Sequence, residues 1–201
     1  LLEGNPIHED MTEACAMLEP DFLLNTVFTP DGAVSEIVAG HWYEAWEKGC
    51  QDLLKMAGVK IKELADVVIA SAGGYPKDLN LYQSIKCHMN SAFAVKKGGI
   101  MIFTLDCEDI KEPAIFTDCF SRSNLEQFEK DIREAFTVPA FVAFKGRNIL
   151  SDVTAYLVTR PENFDFVKRT GHIPCATLEE AWSLAQAKLV EQGKHDYTIT
   201  I

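Results

Sequence analysis

Residues 66–106 read DVVIASAGGYPKDLNLYQSIKCHMNSAFAVKKGGIMIFTLD, and the pattern of this stretch decides the fold. Val67 to Ala70 is a short apolar run rich in β-branched residues, which predicts a fully buried strand. Gly73, Gly74 and Pro76 then break the pattern, so the chain must turn. From Asn80 to Lys97 the apolar residues Leu81, Ile85, Met89, Ala92 and Phe93 recur with the period of an amphipathic helix. Gly98 and Gly99 are expected to stop that helix, because glycine readily takes the left-handed conformation after a last turn. Ile100 to Leu105 reads as a second buried strand. Strand, glycine turn, helix and strand make one βαβ unit.

At about 100° per residue, the helix separates its side chains into distinct faces. Leu81, Ile85, His88 and Ala92 point toward the expected sheet. Gln83, Lys86 and Asn90 cluster on another face, with Tyr82 and Phe93 beside them. Gln83 and Lys86 are three apart, hence neighbours on the surface. Both lie near the helix N-terminus, where unpaired N–H groups and the helix dipole favour anions. An amide, an ammonium and a positive helix end suit a small carboxylate. The same spacing, Asn80-x-x-Gln83, also fits a capping pair that touches no ligand, with Lys86 an ordinary surface lysine. At this level both readings stand.

Working outward, Pro6 to Leu18 reads as a helix with acidic residues in its first turn. His8, Glu9 and Asp10 are adjacent on that helix and point in different directions, so they read as a polar helix start and not as metal ligands. Asp21 to Gly40 holds two β-rich runs around Pro30-Asp31-Gly32, a hairpin signal. His41 to Gly58 is a helix whose Trp42 and Trp46 read as packing. Beyond Cys107 come a charged loop with Pro113, then a helix over 124–136 capped by Ser123 or Asn124, with Leu125, Phe128, Ile132 and Phe136 on one side. Val138 to Leu150 reads as helix, Thr154 to Thr159 as strand, Pro161 to Arg169 as a short helix, and His172 to Cys175 as a return to the sheet edge. Thr177-x-x-Glu180 is a capping box opening a helix over 178–192, with Tyr197 to Ile201 as the last strand. Strands alternating with helices predict an α/β fold: a mostly parallel sheet with helices on both faces, doubly wound in the Rossmann-like manner.

The 201 residues are 47% hydrophobic and 24% charged, the balance of an ordinary globular protein. A formal net charge of −11 argues against nucleic acid or an anionic membrane as partner, though a local site for a small anion is compatible with it. No apolar run approaches the roughly 20 residues of a membrane span, and no signal peptide is evident. Leu1 at the start and a strand-like end read as cuts in a longer protein. The six cysteines form no CxxC pair, so they read as reduced thiols of a cytoplasmic protein. Neither a zinc site nor a disulfide framework is expected.

Other chemistries fail on spacing. Ser71 to Asp78 has adjacent glycines followed by proline, not G-x-G-x-x-G. G-x-x-x-x-G-K-[ST], G-x-S-x-G and H-E-x-x-H are all absent. Cys87 and His88 diverge as helix neighbours and cannot form a nucleophile–base pair. The chain by itself carries no complete catalytic set.

The segment GGYPKDLNLYQSIK (73–86), followed by VKKGG and a buried strand, resembles the C-terminal domain of the nickel-pincer-nucleotide-dependent lactate racemase family. GNPIHEDM (4–11) is similar to the segment where that family's two domains meet. The likeness runs from Gly4 to about Lys194, strongest at 73–86 and weaker after Cys107. It implies an isomerase: a racemase or epimerase acting on lactate or a related 2-hydroxy acid by reversible hydride transfer. The glutamine and lysine of the family's YQxxK piece contact substrate, and they fall on Gln83 and Lys86. Tyr82 would line the pocket, Gly73 and Gly74 would let backbone approach it, and Asp78, Asn90 and Phe128 are further pocket candidates. Phe128 falls where the family has a tryptophan close to substrate, so the identity of the acid stays open.

The nickel-pincer nucleotide would be bound mainly by an N-terminal catalytic domain outside this chain, leaving no catalytic or metal-binding residue in this segment and no activity in the segment alone. On this reading residues 1–20 are a helix connecting domains, and 21–201 an α/β domain that closes over substrate. The alternative, from a different class, is a non-catalytic α/β module that binds a ligand or protein partner.

Overall fold

Asn5 opens the first helix, α1 (Pro6–Leu18), by accepting a hydrogen bond from the Ile7 N–H at 3.2 Å, and proline in the first turn sets the helical φ. The structure, a computed structural model, describes residues 2–121 and 124–201. The chain divides into two compact units, 1–60 and 61–201. The first holds α1, an antiparallel hairpin of β1 (Leu23–Phe28) and β2 (Val34–Gly40), and α2 (Trp42–Ala57). Pro30-Asp31-Gly32 makes the turn, where the Gly32 N–H donates to Thr29 O at 2.9 Å. Val27, Val38 and Ala45 are the buried side chains of this small unit. The hairpin and α2 fall in the same unit as α1. His8 stacks on Trp46 with ring centroids 4.9 Å apart, a packing role.

The second unit is built on β3 (Ala65–Ser71), α3 (Leu81–Ser91) and β4 (Val95–Thr104). There follow α4 (Ala114–Thr117), a 3-10 turn over 118–121, α5 (Leu125–Glu134), α6 (Val138–Leu150) and β5 (Thr154–Val158). A second 3-10 turn leads into α7 (Phe164–Thr170), β6 (Ile173–Cys175), α8 (Leu178–Glu191) and β7 (Ile199–Thr200). The strands form one parallel sheet in the order β6-β5-β4-β3-β7. Strand side chains alternate between its two faces. Val68, Met101, Phe103 and Leu157 pack under α3, α5 and α6 with Leu81, Phe128 and Ala143. Val67, Ile100, Ile102 and Tyr156 pack on the other face with Ala181, Ala185 and Leu189 of α8. Both faces are covered, which is why β3 and β4 read as continuous apolar runs. This is the doubly wound α/β arrangement expected from the sequence.

The end of α3 departs from expectation. The helix stops at Ser91, and Val95, Lys96 and Lys97 already belong to β4. Gly98 and Gly99 are not its stop: they sit in a bulge of β4, where the pairing jumps from Ala65↔Val95 to Val67↔Ile100. Gly98 has φ +73°, and a Cβ on Gly99 would lie 2.8 Å from Lys96 O and 3.0 Å from Asp66 O. Glycine is required here by a bulge pressed against the neighbouring strand.

Asp66, at the start of β3, ties this end of the sheet together. Its carboxylate receives Lys96 Nζ at 2.7 Å, Lys194 Nζ at 2.6 Å and the Thr198 N–H at 3.1 Å. The two ammonium groups hold its carboxyl pKa far below the usual carboxylate range. Asn124 caps α5 by accepting from the Glu126 N–H at 2.8 Å; Ser123, the other capping candidate, lies outside the described residues. Thr177 Oγ1 accepts from the Glu180 N–H at 3.1 Å while Glu180 reaches back to the Ala176 N–H, one residue before the cap, so a variant of the capping box forms.

Candidate functional site

The site lies at the C-terminal end of β3, where a doubly wound sheet presents its ligand crevice. The chain leaves the strand at Ser71 and turns through Gly73 (φ +88°) and Gly74 (φ +78°), conformations that favour glycine. The turn closes with the Lys77 N–H donating to Gly74 O at 2.9 Å. The loop is then fastened to the segment after β4. The Asp106 N–H donates to Asp78 Oδ2 at 3.2 Å, the Cys107 N–H to Asp78 O at 3.0 Å, and the Asp109 N–H to Leu79 O at 2.9 Å. Asp106 is held in turn by a two-pronged ion pair with Arg160 at 2.7 and 2.6 Å, and that guanidinium lowers its carboxyl below the usual range. Asp78 is buried and fastens the loop through these bonds.

Asn80 caps α3, its Oδ1 accepting from the Gln83 N–H at 2.9 Å. The capping reading of this segment forms, through Asn80 and the backbone of Gln83. The cap uses the backbone of Gln83 and leaves its side chain to face Lys86, whose Nζ donates to Gln83 Oε1 at 3.3 Å. Gln83, Lys86 and Asn90 share one polar cleft of about 250 Å³ with Ser71, Ala72, Lys77 and Cys87. Burial raises the pKa of the Cys87 thiol, which leaves it a poor nucleophile.

The remaining candidates part from this group. Tyr82 packs edge-on against Phe116 at 5.4 Å and is not among the residues lining the cleft. Phe128 is 0% exposed and meets Phe144 edge-on at 5.7 Å, so it belongs to the core and not to a pocket. Its helical period with Ile132 already marked it as apolar-face packing. Gly73 and Gly74 shape the turn without lining the cleft. Lys77 was missed by the sequence reading. It follows the glycine pair inside the segment 73–86, but nothing in that pattern says which way the turn faces.

Among the described residues no group of three or more His, Cys, Asp or Glu is placed to hold a metal ion. No buried side-chain nitrogen or oxygen among them lacks a hydrogen-bond partner either. This donor set does not fit a nickel centre. No helix of the described residues is long and apolar enough to cross a membrane.

Three comparisons bear on the cleft. The family model described as "Lactate racemase C-terminal domain" matches residues 60–201, the unit that contains it. A lactate racemase of Thermoanaerobacterium thermosaccharolyticum is 32% identical over 199 residues, covering 96% of this chain and 46% of that protein. A lactate racemase of Lactiplantibacillus plantarum is 31% identical over 108 residues, 54% of this chain and 25% of that protein. The solved lactate racemase apoprotein from T. thermosaccharolyticum superposes with a TM-score of 0.86 at 30% identity, over 100% of this chain and 48% of that one. The chain thus spans about half or less of the length of these relatives.

Proposed function

The chain belongs to the lactate racemase C-terminal domain family, and from that premise we propose that its cleft holds the carboxylate of a small 2-hydroxy acid during racemisation or epimerisation. The observation that carries this reading is the meeting of Gln83 and Lys86 in one polar cleft. Lys86 Nζ supplies the charge, and an ammonium–carboxylate hydrogen bond is about twice as strong as a neutral one. The Gln83 amide has both a donor and an acceptor, so it can meet a carboxylate or a hydroxyl oxygen while Asn80 keeps its backbone fixed. Gripping the acid at its carboxylate holds the α-carbon in register for chemistry supplied from elsewhere.

The reacting groups, and the nickel-pincer nucleotide implied by the sequence resemblance, are assigned to sequence outside residues 1–201. When bound, that cofactor supplies a hydride acceptor for the α-carbon. The residues of this chain bind, orient and cover. Segment 1–201 alone is therefore expected to be inactive, and the working protein to be a longer cytoplasmic chain.

The test uses the full-length, metal-loaded protein. Loss of optical activity is followed for a panel of single-enantiomer 2-hydroxy acids, with and without Lys86→Ala. Turnover of one acid, lowered about 10²-fold by the substitution (about 2.7 kcal/mol), is the expected result. A change under about threefold would leave Lys86 a surface residue, and no turnover of any acid by folded, loaded protein would leave a binding module as the better description.

A further inference from the structure

Lys86 is not the cleft's only cation. Lys77 lines the same polar hollow, and among the described residues no aspartate or glutamate does. Neither ammonium has a carboxylate within 4.0 Å among the described residues. This occurs in a chain with 30 acidic residues against 19 basic ones, where Lys96 and Lys194 both converge on Asp66. A single carboxylate neutralises one of the two cations and leaves the other facing the cleft without a counter-charge. A second anionic group on the ligand would complete the pairing.

The loop holds Lys77 in place for such a contact. Gly73 and Gly74 turn the chain so that Lys77 folds back over the turn: a Cβ built on Gly73 would come within 3.8 Å of Lys77 Cδ and Nζ. Its backbone is hydrogen-bonded to Gly74 O, and the next residue, Asp78, is fastened to the segment after β4. Lys77 thus projects from a loop anchored at both ends, while Lys86 projects from the helix that follows. The hollow, about 250 Å³, is below the roughly 300–1,000 Å³ of sites for drug-sized ligands and suits a short polar acid.

We propose that Lys77 is a specificity-determining residue of this cleft, pairing with a second anionic group, so that the preferred ligand is a 2-hydroxydicarboxylate and not a 2-hydroxymonocarboxylate. The proposal rests on the carboxylate reading of Lys86 given above. Ser71 and Asn90 are the uncharged polar groups available to the rest of such a ligand.

The test is calorimetric titration of the full-length, metal-loaded protein with lactate and with malate, which is lactate bearing one more carboxylate. The wild type, Lys77→Met, Lys77→Arg and Lys86→Met are compared. Malate is expected to bind about tenfold more tightly than lactate, a difference of about 1.4 kcal/mol. Lys77→Met is expected to remove that advantage by weakening malate about tenfold more than lactate, and Lys77→Arg to retain most of it. Lys86→Met is expected to weaken both acids. Unchanged malate binding in Lys77→Met, or equal weakening of the two acids, overturns the role of Lys77 alone and leaves the carboxylate site intact. Unchanged binding of both acids in Lys86→Met, or no binding to the wild type, overturns the carboxylate reading and this proposal with it.

Discussion

His88 Nε2, on α3, lies 2.7 Å from His172 Nε2, on the turn between α7 and β6, and both rings are buried. His88 Nδ1 faces the Ser84 carbonyl at 3.3 Å, and a carbonyl only accepts. One of the two facing Nε2 atoms donates to the other, as a pair of neutral imidazoles allows. Thr170 Oγ1, whose hydroxyl donates to the Val167 carbonyl at 2.7 Å, lies 2.8 Å from His172 Nδ1. The ring of His88 also stacks on Phe103 with centroids 3.7 Å apart. The helix carrying Gln83 and Lys86 is in this way keyed to the far edge of the sheet by two neutral imidazoles.

Acid should undo that arrangement before it touches the carboxylates. Burial lowers the pKa of His88 to about 4, and burial with the neighbouring His88 lowers that of His172. For a histidine with a depressed folded pKa, the unfolded state binds protons first. Stability is complete above the unfolded value near 6.5 and falls as pH drops below it. Urea midpoints are expected to decline between pH 6.5 and 4.5, and to flatten over that window when both histidines are replaced by leucine. A flat wild-type profile would contradict the neutral buried pair.

Asp66 acts in a lower window and with the opposite chemistry. Its carboxyl is held ionised by Lys194 and Lys96, so its contribution is present above the ordinary value of 3.8 and is lost as pH falls further. Asp66→Asn should cost about 1.5–3 kcal/mol at pH 7, the scale of hydrogen bonds to a charged group. Thermal denaturation at pH 7 and pH 3 checks both halves: the gap between variant and wild type should narrow in acid.

Gly146 is the contact point of α6 on α3. A Cβ there would lie 2.5 Å from Ile85 Cδ1 and 3.1 Å from its Cγ1. Gly146→Ala should destabilise by about 1–3 kcal/mol through overpacking. Because Ile85 sits between Gln83 and Lys86 on α3, the substitution should also raise KM for the acid more than it lowers kcat. Pairing it with Ile85→Val, which removes the clashing Cδ1, should restore both; failure of that rescue would place the damage elsewhere.

Phe128 offers a contrast between core and cleft. Phe128→Leu should lower stability by roughly 1–2 kcal/mol, as expected of a smaller side chain at a fully buried position. Dissociation constants for the acid should move less than twofold. A tenfold change in affinity with unchanged stability would return Phe128 to the binding surface.

Much of this was legible in the residues. The buried run at 67–70, the amphipathic period from Leu81 and the capping signals at Asn80 and Thr177 are local, and each formed where its chemistry required. Gln83 and Lys86 are neighbours by helical spacing alone, so sequence suffices to bring them together. The end of α3 was misread because a glycine pair means different things in different surroundings. Gly98 and Gly99 look like a helix stop until β3 is placed beside them, and only then does the close approach to Asp66 O explain them. The pairing of His88 with His172 spans 84 residues, and nothing in either neighbourhood announces it. Lys77 was invisible for a related reason, since a lysine in a turn acquires meaning only from what the turn faces.

The carboxylate of Asp66 also sets an order of events during synthesis. Its partners Lys194 and Thr198 lie 128 and 132 residues downstream, and β7, which covers the open side of β3, follows them. A ribosome must therefore release the chain through Thr200 before the sheet can close. Until then β3 presents an unpaired edge, a template for misassembly, with a charged group beside it that resists burial in a wrong partner.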